Sequence, residues 1–282
     1  MSGPTKISDA NAQLLALLAR PDVIKAMSAS SGLPYWDRYV GMSRGQFVVL
    51  GGEQGSGKSS YLLALLLGAA RRGERVSLLS VEDVSIRLRA RLLGAQAGVD
   101  PYRLMTANLS RDDMAKTQKA AMDAVASDLQ FWFHEGTNRM DDVRAILAAE
   151  AEAGTRFIGI DYLQALRDPS ARDRRNEVLT IAQEIAHYCR AHSIVCICVS
   201  QLVRPESRNV GVRPTRHWLK EASDIADAAD KIVLVWRRQD GHGTPTNVVL
   251  DKDKDGAHIG QRWALAYDAD KRITETPASD DD

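Results

Sequence analysis

Short apolar runs alternate along this chain with segments whose apolar residues recur every three to four positions. Runs of the first kind suit strands buried on both faces, and those of the second suit amphipathic helices. From residue 45 the pattern predicts strands over 46–50, 75–81, 129–134, 156–160 and 194–200. Helices are predicted between them over 59–72, 85–97, 110–126, 141–153 and 176–192, with Ser110 as an N-cap. A polar stretch, 201–217, leads to a short helix over 220–229. Strands over 231–236, 247–251 and 261–267 follow with only glycine-bearing turns between them. The alternation implies an α/β fold with a mostly parallel central sheet flanked by helices, and the helix-free end implies antiparallel C-terminal edge strands.

The ends of the chain read differently. Residues 1–8 are expected to lack structure, and residues 9–27 to carry a short amphipathic helix broken near Pro21. Its Leu14, Leu15, Leu17 and Leu18 need cover, either on their own domain or on a neighbouring subunit. We therefore divide the chain into an N-terminal extension, 1–31, a main domain, 32–273, and an acidic tail, 274–282, expected to be solvated and mobile. No internal repeat is visible.

The 282 residues suffice for one large domain with a sizeable core. Formal net charge is zero, so any surface for a polyanion has to be a local patch. The apolar runs 61–67 and 194–199 are far too short to span a bilayer, and the N-terminus lacks a signal-peptide pattern. We expect a cytoplasmic protein, of a bacterium or a phage-infected cell, with no membrane partner. Cys196 and Cys198 lie at i and i+2 of a predicted strand, and Cys189 precedes them. No further ligand converges by spacing, so they read as small buried hydrophobes of a reducing compartment.

Chemistry concentrates at Gly52-Glu53-Gln54-Gly55-Ser56-Gly57-Lys58-Ser59-Ser60, which fits G-x-x-x-x-G-K-[ST]. It follows an apolar strand and opens a helix, the context in which this pattern cradles phosphates. Glycines let backbone N–H groups turn toward phosphate oxygens, and the helix adds its positive end. Lys58 is expected on the β- and γ-phosphates of ATP and Ser59 on Mg²⁺. Asp161 closes the apolar strand before it and is expected on the Mg²⁺ side, although a strand-end Asp also serves as a helix cap. Glu82, ending the strand after the glycine loop, is the candidate base, with Asp83 its local competitor. Gln201, ending another strand, is the candidate sensor of the γ-phosphate.

Taken in order, several segments resemble the C-terminal ATPase domain of DnaB-type replicative helicases, within the RecA-like P-loop proteins. These are SGLPYWDRYVGMSRGQ, GEQGSGKSS, LLSVEDVSIRLRARLLGAQAGVD, FIGIDYLQ, CVSQLVRPESR, LKEASDIADAADKIVLVWRR and VVLDKDKDGAHIG. The resemblance implies a RecA-like fold and a homo-oligomeric ring, of six subunits, around single-stranded DNA. It implies ATP between subunits, Lys252 and Lys254 reaching a neighbour's γ-phosphate, and a primase and a loader as replication partners. It also implies DNA contacts from the loops after Gln201 and around Lys220, Glu221, Ala222 and Ser223. Lys254 stands where the family usually carries Arg, a point charge in place of a planar fork. Lys220 and Ser223 replace the family's usual arginine and glycine. In place of the family's globular N-terminal domain and linker, only the short helix within 9–27 is expected.

The segment 204–223 carries Arg204, Arg208, Arg213, Arg216 and Lys220 against Glu206 and Glu221. A basic loop directly after Gln201 suits sequence-independent contact with a DNA backbone, and the alternative is a solvated polar loop. His217 and Trp218 could stack on bases, and Trp218 equally suits a core position. The expected activity is an ATP-dependent DNA helicase or translocase. A RecA-like recombination or helicase-loading ATPase that does not unwind DNA shares the pattern.

Overall fold

The computed structural model describes residues 6–20, 23, 28–81, 85–171, 173–203, 212–219, 222–237, 246–268 and 272–278. Its strands are β1 (Phe47–Gly52), β2 (Val76–Ser80), β3 (Phe131–Glu135), β4 (Phe157–Asp161), β5 (Val195–Gln201), β6 (Lys231–Arg237), β7 (Thr246–Asp253), β8 (Arg262–Tyr267) and β9 (Ile273–Pro277). The helices are α1 (Ile7–Leu18), α2 (Lys58–Ala70), α3 (Ser85–Ala97), α4 (Pro101–Met105), α5 (Arg111–Ala126), α6 (Met140–Glu152), α7 (Arg174–His192) and α8 (Ala222–Ala228). One nine-stranded sheet runs β3-β2-β4-β5-β1-β6-β7-β8-β9. The pairings from β3 to β6 are parallel, and those from β6 to β9 are antiparallel.

Every residue of β1 is buried, as a strand covered on both faces must be. Alternation along it splits the core in two. Phe47 and Val49 join the layer built on α6, α7 and α8, with Val143, Ile181 and Ile225. Val48 and Leu50 join the layer of α2 and α3, with Leu62, Leu66 and Leu88. The three cysteines are buried and free, as small hydrophobes. Ser110 caps α5 with a full capping box, its hydroxyl accepting from the Asp113 N–H while the Asp113 side chain takes the Ser110 N–H.

Three expectations change. The chain is helical from Ile7, two residues inside the stretch expected to lack structure. Residues 274–277 are not a loose tail but part of β9, paired with β8 from Trp263 to Tyr267. The acidic residue among them explains why. Glu275 is drawn inward, where its carboxylate accepts from Tyr61 Oη at 2.5 Å and from the N–H groups of Tyr35 and Trp36 at 2.6 and 3.1 Å. Burial pushes the Glu275 carboxyl above the usual range. Finally, α1 buries none of its residues among those described, so Leu14, Leu15 and Leu18 find no cover on their own domain. Residues 279–282, at the very end, lie outside the described residues.

Candidate nucleotide site

The register of the sheet brings the strand ends together. Gly52 of β1 lies beside Gln201 of β5 on one side and Val235 of β6 on the other. β4 follows β5, and its Asp161 lies opposite Ser80 of β2. All these strands point their C-terminal ends the same way, and in an open α/β sheet that rim is where ligands bind.

A cleft of about 320 Å³ opens there. Gln54, Gly55, Lys58, Ser59, Asp161 and Gln201 line it. Thus the expected phosphate lysine, both expected magnesium ligands and the expected sensor share one cavity. Lys58 is buried, and its ammonium donates to the Glu53 carbonyl at 2.6 Å. No side chain caps the start of α2 at Gly57, which sits at φ 97°, a conformation suited to glycine. Gly52 is required for a different reason. A Cβ there would lie 2.6 Å from both Ser56 Oγ and the Val235 carbonyl, and 3.0 Å from Lys58 Cδ. The loop is therefore wound as tightly as the chain permits. Within it, Ser56 Oγ is buried without a protein partner.

These features fit a triphosphate with Mg²⁺. The unsealed helix start and the buried lysine suit phosphate oxygens. One hydroxyl and one carboxylate beside phosphates form a donor set that Mg²⁺ takes, since it keeps several waters. Among the described residues no group of three His, Cys, Asp or Glu could hold a metal by itself.

Glu82 lies outside the described residues, but its approach does not. The N–H of Val81, the residue before it, donates to the Asp161 carbonyl at 2.8 Å, so Val81 lies on the rim that carries Asp161. Gln201 is held from behind. Gln164 donates to Ser200 Oγ at 2.7 Å and accepts from the Gln201 N–H at 3.2 Å. Sequence reading missed Gln164, although it sits three residues past Asp161. It also missed Arg87 and Arg91 of α3, which line the same cleft. Their i, i+4 spacing was the available signal. A further omission was Arg237, at the end of β6, whose guanidinium lies 3.6 Å from where a Gly57 Cβ would be and which donates to Thr246 Oγ1.

Lys252 and Lys254 are not in this cleft. Lys252 lies opposite Ile232, next to the pairing of Lys231 with Asp253, at the end of the sheet where β1 begins. From Phe47 to Gly52 is five steps of about 3.3 Å, roughly 17 Å of strand between them and the glycine loop. Lys252 donates to the carbonyls of Ala226 and Ala229 at the end of α8. Burial, then the charge of Lys254, lowers its pKa. Lys254 pairs with Asp230 at 2.6 Å.

Of the expected DNA contacts, Arg204, Arg208, Lys220 and Glu221 lie outside the described residues. Arg213 is exposed. Arg216 is tied to β7, donating to the Asp251 carbonyl at 2.9 Å. Trp218 is buried in the core, which removes it from base stacking, while His217 is exposed.

A buried parallel strand, a glycine loop, an open helix start and a strand-end aspartate around one cleft define a P-loop nucleotide-binding protein of the α/β class. Comparison with known proteins carries this further. The DnaB-like helicase C terminal domain family matches residues 29–271, and the chain belongs to that family. It is 25% identical over 241 residues to the replicative DNA helicase DnaB of Helicobacter pylori, covering 83% of this chain and 49% of that one. The chain thus spans about half the length of the curated relatives it matches. Among solved structures, one ATPase domain superposes with a TM-score of 0.81 at 21% identity, over 96% of this chain and 99% of that one. A DnaB-like replicative helicase, solved for its interactions with primase, superposes with a TM-score of 0.79 at 20% identity, over 97% and 67%. The fold is RecA-like.

Proposed function

We propose that this chain is the motor of a replicative ring helicase, coupling ATP hydrolysis to movement on single-stranded DNA. The observation that carries the reading is the single cleft shared by Lys58, Ser59, Asp161 and Gln201. Lys58 neutralises the transferring phosphoryl group, and Glu82 orients the attacking water. Ser59 and Asp161 hold Mg²⁺, which when bound offsets charge on the β- and γ-phosphates. Gln201 reports on the γ-phosphate to the segment that follows it, where the basic residues 204–220 meet the DNA backbone.

The site is completed by a second copy. Lys254 lies at the far end of its own sheet, so the phosphate it serves belongs to a neighbour. Apolar surface supports assembly as well. The leucines of α1 are uncovered, and Met114, Met122 and Val125 of α5 and Trp132 of edge strand β3 are exposed. We place α1 of one subunit on the α5–β3 face of the next, in a ring of six. The similar helicase solved for its interactions with primase supports a primase as a partner, and the reading extends to a loader. Among the described residues no helix is long and apolar enough to cross a membrane.

The test is ATP hydrolysis with and without single-stranded DNA, on protein whose mass is followed as nucleotide is added. Assembly and DNA-stimulated turnover are expected. Lys58→Ala should abolish hydrolysis, and Glu82→Gln should trap ATP. Brisk turnover by Glu82→Gln would remove the base assignment. Nucleotide binding without turnover or unwinding of a forked duplex would favour a loading or recombination ATPase.

A further inference from the structure

Three ammonium groups gather where β1 and β6 begin and β7 ends. Lys231 is locked, its side chain 4% exposed between Asp253 at 2.8 Å and Asp255 at 3.2 Å. Lys252 is taken up by the end of α8. Lys254 differs. Its side chain is 45% exposed, while that of its partner Asp230 is 11% exposed. The carboxylate is the fixed member of this pair. Its Oδ2 accepts from the Phe47 N–H at 2.9 Å, and the Asp230 N–H donates to the Phe47 carbonyl at 2.8 Å. Its Oδ1 holds Lys254 Nζ at 2.6 Å, and the Lys254 N–H donates to the Asp230 carbonyl at 3.0 Å. Arg190 adds a weaker approach to the same oxygen at 3.8 Å.

We propose that Asp230 is the positioning residue for Lys254. In a lone subunit it parks the ammonium on its own chain, and on assembly it releases that ammonium to the terminal phosphate of a nucleotide held by the neighbour. This rests on the trans role of Lys254 given above. The physical case is an exchange of anions. An ammonium moving from a carboxylate to a phosphate keeps a counter-charge at both ends of the move, so assembly does not have to desolvate a bare cation. The side chain that must move is the solvated one, and the group that must stay is anchored to β1. A lysine is suited to the move because it is a point charge on a flexible stem, with no fork geometry to rebuild.

Asp230→Asn removes the charge and retains an oxygen for the Phe47 N–H. In the full chain with ATP and Mg²⁺, the nucleotide concentration for half-assembly, followed by light scattering, should fall about two- to fivefold, the range of a partly solvated ion pair. The gain should shrink as salt rises. In a Lys254→Ala background the same substitution should change nothing. Should the asparagine variant not fold, Asp230→Ser keeps an acceptor and carries the same test. A shift that persists without Lys254 overturns the proposal, because Asp230 would then act through the fold. No shift, in a protein that Lys254→Ala disables, overturns the parking and leaves the trans role standing. If Lys254→Ala is itself silent, both fall.

Discussion

Gly52→Ala tests the tightness of the phosphate loop with a single methyl group. Because Val235 is the β6 neighbour of Gly52, the carbonyl 2.6 Å from the added Cβ belongs to the sheet and cannot rotate away. Ser56 Oγ, at the same distance, is buried and has little room to turn. Either β1 parts from β6 or the loop is pushed outward, an overpacking that costs about 1–3 kcal/mol. For a domain of this size each kcal/mol lowers Tm by about 2–4 °C, so a fall of roughly 2–12 °C is expected. The outward route also carries Lys58 with it, since its Cδ lies 3.0 Å from the new methyl. A hydrogen bond to a charged group contributes about 1.5–3 kcal/mol, so losing its alignment should weaken ATP about tenfold to a hundredfold. Titration of a fluorescent ATP analogue and thermal unfolding measure the two effects on one sample. Gly73→Ala is the control. At φ 85° and with nothing within 4 Å of its Cβ, it carries strain of about 1–2 kcal/mol but no contact with the loop. It should lower Tm and leave ATP affinity alone. Wild-type affinity in Gly52→Ala, or equal losses in both variants, would refute the steric argument.

Other perturbations read out separate parts of the molecule. Ser110→Ala removes the hydroxyl that accepts from the Asp113 N–H and donates to its carboxylate, and should cost about 0.5–2 kcal/mol in denaturant unfolding without changing nucleotide affinity. Glu275 gives a pH signature. Its folded carboxyl is raised by burial, so the folded state holds a proton that the unfolded state has released. Glu275 should therefore contribute a loss of stability as pH climbs from the ordinary carboxylate range through the raised value, a component that Glu275→Gln should lack when the two pH profiles are subtracted. Thermal unfolding across the acid-to-neutral range checks this, and an unchanged slope would remove Glu275 as its source.

Most of the fold was legible because its signals are local. Apolar runs and 3.6-residue periodicity located eight of the nine strands and the main helices, and Ser110 revealed its cap three residues ahead of Asp113. β9 escaped because ITETP is polar, and its order comes from partners far away in sequence. Tyr61 and Trp36 hold Glu275 from more than two hundred residues away. The site followed the same division. The glycine loop, Asp161 and Gln201 each announce themselves at the end of an apolar run. Arg91 offers only its i, i+4 spacing from Arg87 and Gln164 carries no motif, and the packing of α3 and the crossing from β4 to β5 bring them to the rim. Trp218 shows a case that residue type left open between base stacking and the core, and that tertiary packing decides for the core.

The sheet also limits how the cleft can be finished. Its parallel strands all end at one rim, and that rim supplies the loop, Asp161 and Gln201. β7 runs the other way, so its last residues emerge at the opposite edge, beside the start of β1. No side chain is long enough to cover roughly 17 Å of strand back to the loop, so Lys254 cannot serve its own phosphate without unravelling β7. The trans role proposed above for Lys254 instead calls for two copies set head to tail, with one subunit's β7 end at the next subunit's rim. Such a contact is heterologous, and repeating it closes a ring or extends a helix according to the rotation between copies. On that reading, ATP hydrolysis should rise more steeply than linearly with chain concentration. Mixing Lys58→Ala chains with Lys254→Ala chains should restore turnover at junctions where an intact loop meets an intact Lys254. Mixtures as inactive as either parent would mean that the lysine and the loop do not meet across subunits.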